Sequence, residues 1–404
     1  MSAKPIAARA VPDLIVEPSA FYPPLSGVGY YTRELLKAYN RLPDHFPIKI
    51  LSYRFFLKSW RTPEEEYFGS QAQSLGGSLA VRSRLVPSLV YNQLRRYALR
   101  PPIPLDLFKP EKPSIYFFPN YVGEPLIRSK YVPVIFDFGF LRYPRTLEGK
   151  DHLYLKRYVP RTLKRASNVV VISDCIKREL HKAYDFPPEK ITVVYPAVDH
   201  ASFRPDIPFE ARASALAKYG LDSGYVFSLS TLEPRKNFPR LIEAYSLLPD
   251  NIKIERPLVV AGGQGWKNQD IFATIRRLGL ESRIKFLGYI SETDRAPLMR
   301  EAALFVLPSL YEGFGMPVLE AMACGTPVVT SARGALPEVG GEAVVYTDPL
   351  DVESICRGIR SVLENPGLSK RLSAAGVSRA TTFQWSTSGR VLADVFKKAA
   401  NSHG

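Results

Sequence analysis

The 404-residue chain is poor in metal-binding and redox chemistry. It holds three cysteines, Cys175, Cys324 and Cys356, and five histidines, all scattered. No CxxC pair and no HExxH cluster occurs, so the ligand spacings of zinc sites are missing. The cysteines read as small packing residues of a reduced, cytosolic protein. Long apolar runs are lacking as well. No stretch approaches the ~20 residues of a spanning helix, and the first 25 residues show no cleavable signal pattern. Neither export by that route nor an integral membrane protein is expected. A GxGxxG loop followed by an acid ~20 residues on is also missing after the first strand-like run, which argues against a nucleotide-dependent dehydrogenase. There is no short-period repeat and no low-complexity segment.

Charge is unevenly distributed along the chain. The formal net charge is +15; residues 1–200 hold 30 Lys/Arg against 18 Asp/Glu, and the remainder 24 against 21. From Tyr67 to Leu105 there is no acid at all, while Arg82, Arg84, Arg95, Arg96 and Arg100 alternate with apolar residues. A second basic stripe, Lys156, Arg157, Arg161, Lys164 and Arg165, recurs at helical spacing. Basic and apolar residues mixed in this way suit either an anionic membrane surface or a solvated face over a core-facing stripe. A nucleic-acid binder is the remaining reading of the charge.

Short buried-strand runs alternate with amphipathic helical runs along the whole chain. In the first half they are Leu14–Val16, Ile48–Leu51, Ile115–Phe118, Val132–Phe136, Asn168–Ile172 and Ile191–Val194. In the second half they are Tyr225–Leu229, Leu258–Ala261, Ile284–Phe286, Leu304–Leu307, Pro327–Thr330 and Ala343–Tyr346. This rhythm predicts an α/β protein with two doubly wound parallel sheets. The domains are placed at 1–205 and 206–384, with a last helix from about Trp385 crossing back to the first.

In open parallel sheets ligands sit beyond the carboxyl ends of the strands, and polar motifs collect there. After the first strand come Gly27 and Gly29, which allow close backbone approach to an anion at a helix expected to start near Tyr30. The segment Ser230-Thr-Leu-Glu-Pro-Arg-Lys-Asn237 puts Arg235 and Lys236 at the start of a helix whose dipole repels cations, so a polyanion is expected between them. Ala261-Gly-Gly-Gln-Gly-Trp266 frees the backbone at Gly263, and the strand end at Tyr289 is placed to read a nucleobase edge. Asp137 follows a strand among aromatics, where an acid must be paired or functional. Ser173 is either a helix N-cap or a ligand contact. The densest motif is Ser309-Leu-Tyr-Glu-Gly-Phe-Gly-Met-Pro-Val-Leu-Glu320. Glu312 lies on a loop, Glu320 one turn into a helix, and the N–H groups of Gly313 to Val318 surround the helix start.

Taken together these motifs resemble glycosyltransferase family 4, the retaining sugar-nucleotide enzymes of the GT-B fold, along nearly the whole chain. The wording around Thr231–Asn237 and Phe140–Pro144 is similar to bacterial mannosyltransferases of polysaccharide assembly. The resemblance implies that Glu320 holds the nucleotide ribose, that Glu312 faces the transferred hexose, and that Lys236 with Arg235 neutralises the departing diphosphate. It implies further donor contacts at Gly27, Gly29, Thr231, Gly263, Tyr289, Gly313, Phe314, Gly315, Met316 and Pro317, an acceptor side formed by Phe136, Tyr30 and Ser173, and a catalytic role for Asp137 beside Glu312, Lys236 and Arg235. No metal or other cofactor is expected; the co-substrate is a nucleoside diphosphate sugar. The acceptor is a glycan or a lipid-linked glycan at the cytoplasmic face of the plasma membrane, with no nucleic-acid partner. Two departures stand out. Thr231 occupies a position where many relatives carry arginine, and Phe136 one where many carry histidine. GDP-mannose is the expected donor; a UDP-sugar transferase or a sugar-nucleotide epimerase on the same fold is the alternative.

Overall fold

A computed structural model of the chain describes residues 11–23, 25–55, 63–84, 114–127 and 129–401. The first sheet is built from β1 (Asp13–Val16), β2 (Ile48–Phe55), β3 (Ser78–Arg84), β4 (Ser114–Phe118), β5 (Lys130–Ile135), β6 (Val169–Val171) and β7 (Ile191–Val193). Its order is β3-β2-β1-β4-β5-β6-β7, with every pairing parallel. The second sheet holds β8 (Val226–Leu229), β9 (Leu258–Ala261), β10 (Ile284–Gly288), β11 (Leu304–Leu307), β12 (Val328–Ser331) and β13 (Val345–Thr347), in the order β10-β9-β8-β11-β12-β13. Both orders reverse direction beside the first strand of their own sheet. The two crevices at β1/β4 and β8/β11 are therefore the natural ligand positions.

Helices cover both faces of each sheet, so central strands such as Val169–Val171 and Leu304–Leu307 are buried at every residue. That is why they read as unbroken apolar runs. β3 escaped the sequence reading. It is an edge strand carrying Ser and Arg between its apolar residues, and Arg82 and Arg84 of the first basic segment lie within it. Arg95, Arg96 and Arg100 fall outside the described residues.

The helix Gly27–Asn40 begins three residues earlier than expected, capped by Ser26, whose Oγ accepts from Gly29 N at 3.4 Å. Gly27 and Gly29 are thus helical rather than loop residues. Gly29 is needed for packing, since a Cβ there would stand 2.4 Å from the Ala20 carbonyl oxygen, whereas Gly27 faces open space. This helix buries Tyr31, Leu35 and Tyr39, four residues apart on one stripe. The final helix, Trp385–Asn401, crosses back and packs on it. Phe396 meets the Tyr39 ring edge-on at 5.3 Å, and a Cβ on Gly389 would stand 2.8 Å from the Ala38 carbonyl carbon. Among the described residues no helix is long and apolar enough to cross a membrane.

Candidate active site between the two sheets

The loops after β8 and β11 meet at the second sheet's switch point, and each brings charge. Pro234–Lys236 forms a short 3-10 turn, and Asn237 (φ 63°) turns the chain into the helix Phe238–Ser246. The cations therefore precede the helix instead of opening it. Asn237 is locked by its side-chain amide, which donates to the carbonyls of Pro308 (3.0 Å) and Pro349 (2.7 Å).

Glu312, on the loop after β11, is buried and uses both oxygens. Oε1 accepts from Lys236 Nζ and from Ser309 Oγ, each at 2.7 Å, and Oε2 accepts from Arg235 Nη1 at 3.1 Å. Burial alone would raise its pKa. The charges of Lys236 and Arg235 and the hydrogen bonds outweigh it and hold the carboxyl at about 2. Arg235 also donates to the Tyr311 carbonyl (2.9 Å) and to Glu233 Oε1 (2.7 Å). Burial works against its charge, but Glu312, Asp137 and Glu233 together raise its pKa further. The protein partners of Arg235 and Lys236 are thus the chain's own carboxylates, Glu233 and Glu312. Glu312, expected to face the hexose, has Lys236, Arg235 and Ser309 as its protein partners.

Glu320 is in a different setting. It is fully buried in the helix Met316–Ala323, and both its oxygens accept from a single nitrogen, Nη2 of Arg295. Here burial prevails over Arg295, and the carboxyl is shifted upward. Arg295 was missed by the sequence reading. It projects from the helix Glu292–Glu301 and lies 5.6 Å from the ring centre of Tyr30, across the domain boundary. Tyr30, expected on the acceptor side, thus lies close to Arg295 and Glu320.

The first domain contributes the opposite wall. Asp137 accepts from Gly139 N at 2.8 Å, is hydrogen-bonded by the Tyr121 phenol, and lies within the field of Arg235. The Phe136 ring is buried between Tyr31 and Tyr121, so its carbonyl rather than its side chain faces the second domain. That carbonyl explains Gly313, where a Cβ would stand 2.1 Å from Phe136 O. Ser173 is fully buried. Its hydroxyl caps the helix Asp174–Tyr184 by accepting from Ile176 N and donates to Gly313 O at 2.9 Å. Of the two roles expected for it, the helix cap is present, and the bond to Gly313 also ties the two domains together. Tyr311, also unforeseen, accepts from Phe138 N at 3.0 Å and donates to Glu179.

The remaining donor-side expectations divide by burial. Phe314 is buried beside Phe383, and Gly315 (φ 104°) caps the helix whose first residues, Met316 and Pro317, are half-exposed. Thr231 and Tyr289 are exposed, and Gly263 has open space around its Cα. A cleft of about 530 Å³ opens beside Asp137 and Arg235, with Tyr121, Tyr154 and Trp266 among its walls.

Known proteins share this arrangement. Residues 25–202 match the family model described as Glycosyltransferase Family 4, and residues 215–379 match the model described as Glycosyl transferases group 1. The O-antigen chain mannosyltransferase B of Escherichia coli is 31% identical over 371 residues, covering 90% of this chain and 93% of that protein. The serotype-specific mannosyltransferase WbdA of Escherichia coli is 32% identical over 241 residues, 59% of this chain and 30% of that much longer protein. Among solved structures, Anabaena HepE in complex with UDP and glucose superposes with a TM-score of 0.70 at 18% identity, covering 95% of this chain and 99% of the other. WaaG, a glycosyltransferase involved in lipopolysaccharide biosynthesis, gives a TM-score of 0.67 at 17% identity, covering 95% and 99%. Both confirm the GT-B fold.

Proposed function

This chain belongs to glycosyltransferase family 4 and is a hexosyltransferase, and from that premise we propose that it moves mannose from GDP-mannose, with retention, onto an oligosaccharide or lipid-linked glycan. The observation that carries the reading is the Glu312–Lys236–Arg235 cluster at the switch point, set against Asp137 of the other domain. Glu312 engages one of the three N–H donors of the Lys236 ammonium, which leaves the other two for phosphate oxygens. Arg235 is held by two carboxylates and a carbonyl, so its role is to fix the cluster and to set the field at Asp137. As the glycosidic bond to the diphosphate breaks, negative charge grows on the leaving oxygen, and a preoriented ammonium together with the helix start at Met316 stabilises it there. Metal is not required in this scheme.

Phe136 supplies no proton-transfer group. In a front-face reaction the acceptor hydroxyl arrives beside the leaving phosphate, which takes its proton. Glu320 is assigned to the ribose hydroxyls, with Arg295 holding its carboxylate in place. Closure of the domains around Gly313 keeps water out of the reaction. Mannose is favoured by the 31% identity to a mannosyltransferase over nearly the whole chain.

Docking at an anionic membrane is supported by the helix Gly149–Leu163, where Lys156, Arg157 and Arg161 are exposed beside an exposed Leu153. Arg157 and Arg161 flank the Tyr158 ring at 5.7 and 5.5 Å. The donor is tested by thermal shift against GDP, UDP, ADP and their hexose conjugates, followed by NMR of the product anomer. GDP-mannose is expected to stabilise most and to give an α-linked product. A larger shift with a UDP-sugar, or a β-linked product, would overturn the donor or the stereochemistry.

A further inference from the structure

The cleft beside Asp137 is walled from both domains, and its composition is selective. The first domain supplies Tyr121, Asp151 and Tyr154, and the second supplies Glu233, Arg235 and Trp266. Trp266 reaches across because its loop is rigid. A Cβ on Gly262 (φ 138°) would stand 1.9 Å from Ser230 O, and one on Gly265 would stand 2.4 Å from Leu232 O, so both glycines are pressed onto the neighbouring backbone. Leu232 N donates to Gly263 O at 3.1 Å. At the tip, the indole Nε1 donates to Thr146 O at 2.5 Å, and Lys267, in the left-handed region at φ 51°, donates to the carbonyls of Arg145 (2.8 Å) and Leu147 (3.0 Å). With the polar edge of the indole held by the first domain, its apolar surface is left to line the cleft.

The charges of the lining work against an anion. Three carboxylates, Asp137, Asp151 and Glu233, face it with two cations, Arg235 and Lys150. Arg235 is paired with Glu233 and Glu312, and Lys150, largely exposed, lies 3.1 Å from Glu148 at the surface. A phosphate entering here meets three carboxylates against these two paired cations. A sugar ring finds aromatic surfaces for its C–H face and carboxylates for its hydroxyls, in a volume within the roughly 300–1,000 Å³ of small-molecule sites.

We propose that this cleft is the acceptor subsite, that it takes an uncharged pyranose end and excludes phosphorylated sugars, and that Trp266, supplied by the second domain, is its stacking platform. The proposal rests on the transferase reading given above. Because Trp266 comes from the donor-side domain, the subsite is complete only when the two domains are together.

The test pairs binding with turnover on the full chain. Methyl α-dimannoside and mannose 6-phosphate are titrated calorimetrically in the presence of GDP, and both are assayed as acceptors. The neutral glycan should bind at least about tenfold more tightly than the phosphorylated sugar. Trp266→Ala should raise the acceptor KM by about tenfold with less than about a twofold change in donor KM, and Trp266→Phe should restore most of the acceptor KM, since a benzene ring retains the stacking surface. Equal or tighter binding of mannose 6-phosphate would overturn the proposal, as would no binding of either sugar. So would a Trp266→Phe protein as impaired as Trp266→Ala, because the indole N–H tie to Thr146 would then be the whole contribution. Trp266-dependent binding of the neutral glycan without any transfer would instead sink the transferase reading and leave the subsite standing.

Discussion

Glu312 and Glu320 are eight residues apart, both buried, both at the carboxyl edge of the same sheet, and they are held in opposite ways. Glu312 has two cations and a serine hydroxyl, and its carboxyl is driven down to about 2. Glu320 has one arginine, and burial drives its carboxyl up. A buried carboxylate is stabilised as an anion only when its partners offset the lost hydration. Glu312 meets that condition without any ligand and acts as a fixed charge that orients Lys236. Glu320 meets it incompletely, which leaves hydrogen-bonding capacity for a partner carrying hydroxyl groups.

The contrast can be broken in several ways. The largest effect is expected at the ammonium that Glu312 orients. Lys236→Ala should lower kcat by about 10²–10³-fold, the size associated with losing one preorganised transition-state donor. A change confined to donor KM would move Lys236 to ground-state binding. Next comes stability. Glu312→Gln takes the carboxylate from the half-buried Lys236 and one of two from Arg235, and should destabilise by about 3 kcal/mol in denaturant unfolding. Glu320→Gln removes a carboxylate whose neutral form the fold already favours, so it should be neutral or slightly stabilising at neutral pH. Equal losses would erase the distinction.

The pH dependence sharpens it further, because the signs are opposite. The folded pKa of Glu312 is depressed, so its contribution, on the order of 3 kcal/mol, is fully present above its unfolded value of about 4.5 and is lost as pH falls through about 2. For Glu320 the folded pKa is raised, so its contribution is present below the unfolded value and is lost as pH rises through the folded one. Unfolding of the two Gln variants followed across acid pH should therefore converge on wild type from different directions. A steric effect tests the loop that carries Glu312. Gly334 (φ 59°) has Glu312 O 2.2 Å from a would-be Cβ, so Gly334→Ala should destabilise by about 1–3 kcal/mol. Gly27→Ala, with open space at an early helical position, should be neutral or slightly stabilising.

Much of this molecule was legible before its structure. Strands buried on both faces announce themselves as apolar runs, and a loop with glutamates flanking a helix start identifies itself by spacing. What the sequence hid depends on contacts between distant segments. Arg295 looks like one more surface cation of a polar helix until the fold sets it 25 residues from its partner in sequence and in contact with it in space. Tyr311 and Ser173 take their meaning from the opposite domain. The strand Ser78–Arg84 was concealed because an edge needs no second apolar face. Phe136 drew attention for the side chain it lacks, but its contribution lies in a carbonyl that leaves room only for glycine at 313.

The return of the Trp385–Asn401 helix gives the molecule two covalent passages between its halves. These passages are bonded to each other: Ser388 Oγ donates to the Tyr195 carbonyl at 2.6 Å, His200 Nε2 lies 3.2 Å from the Phe383 carbonyl oxygen, and the rings of Tyr195 and Phe383 meet edge-on. Two threads fastened side by side resist twisting as a single linker does not. Turning one half against the other would bend both threads at once, whereas the Trp266 contact with Thr146 is held by a hydrogen bond with no covalent passage beside it.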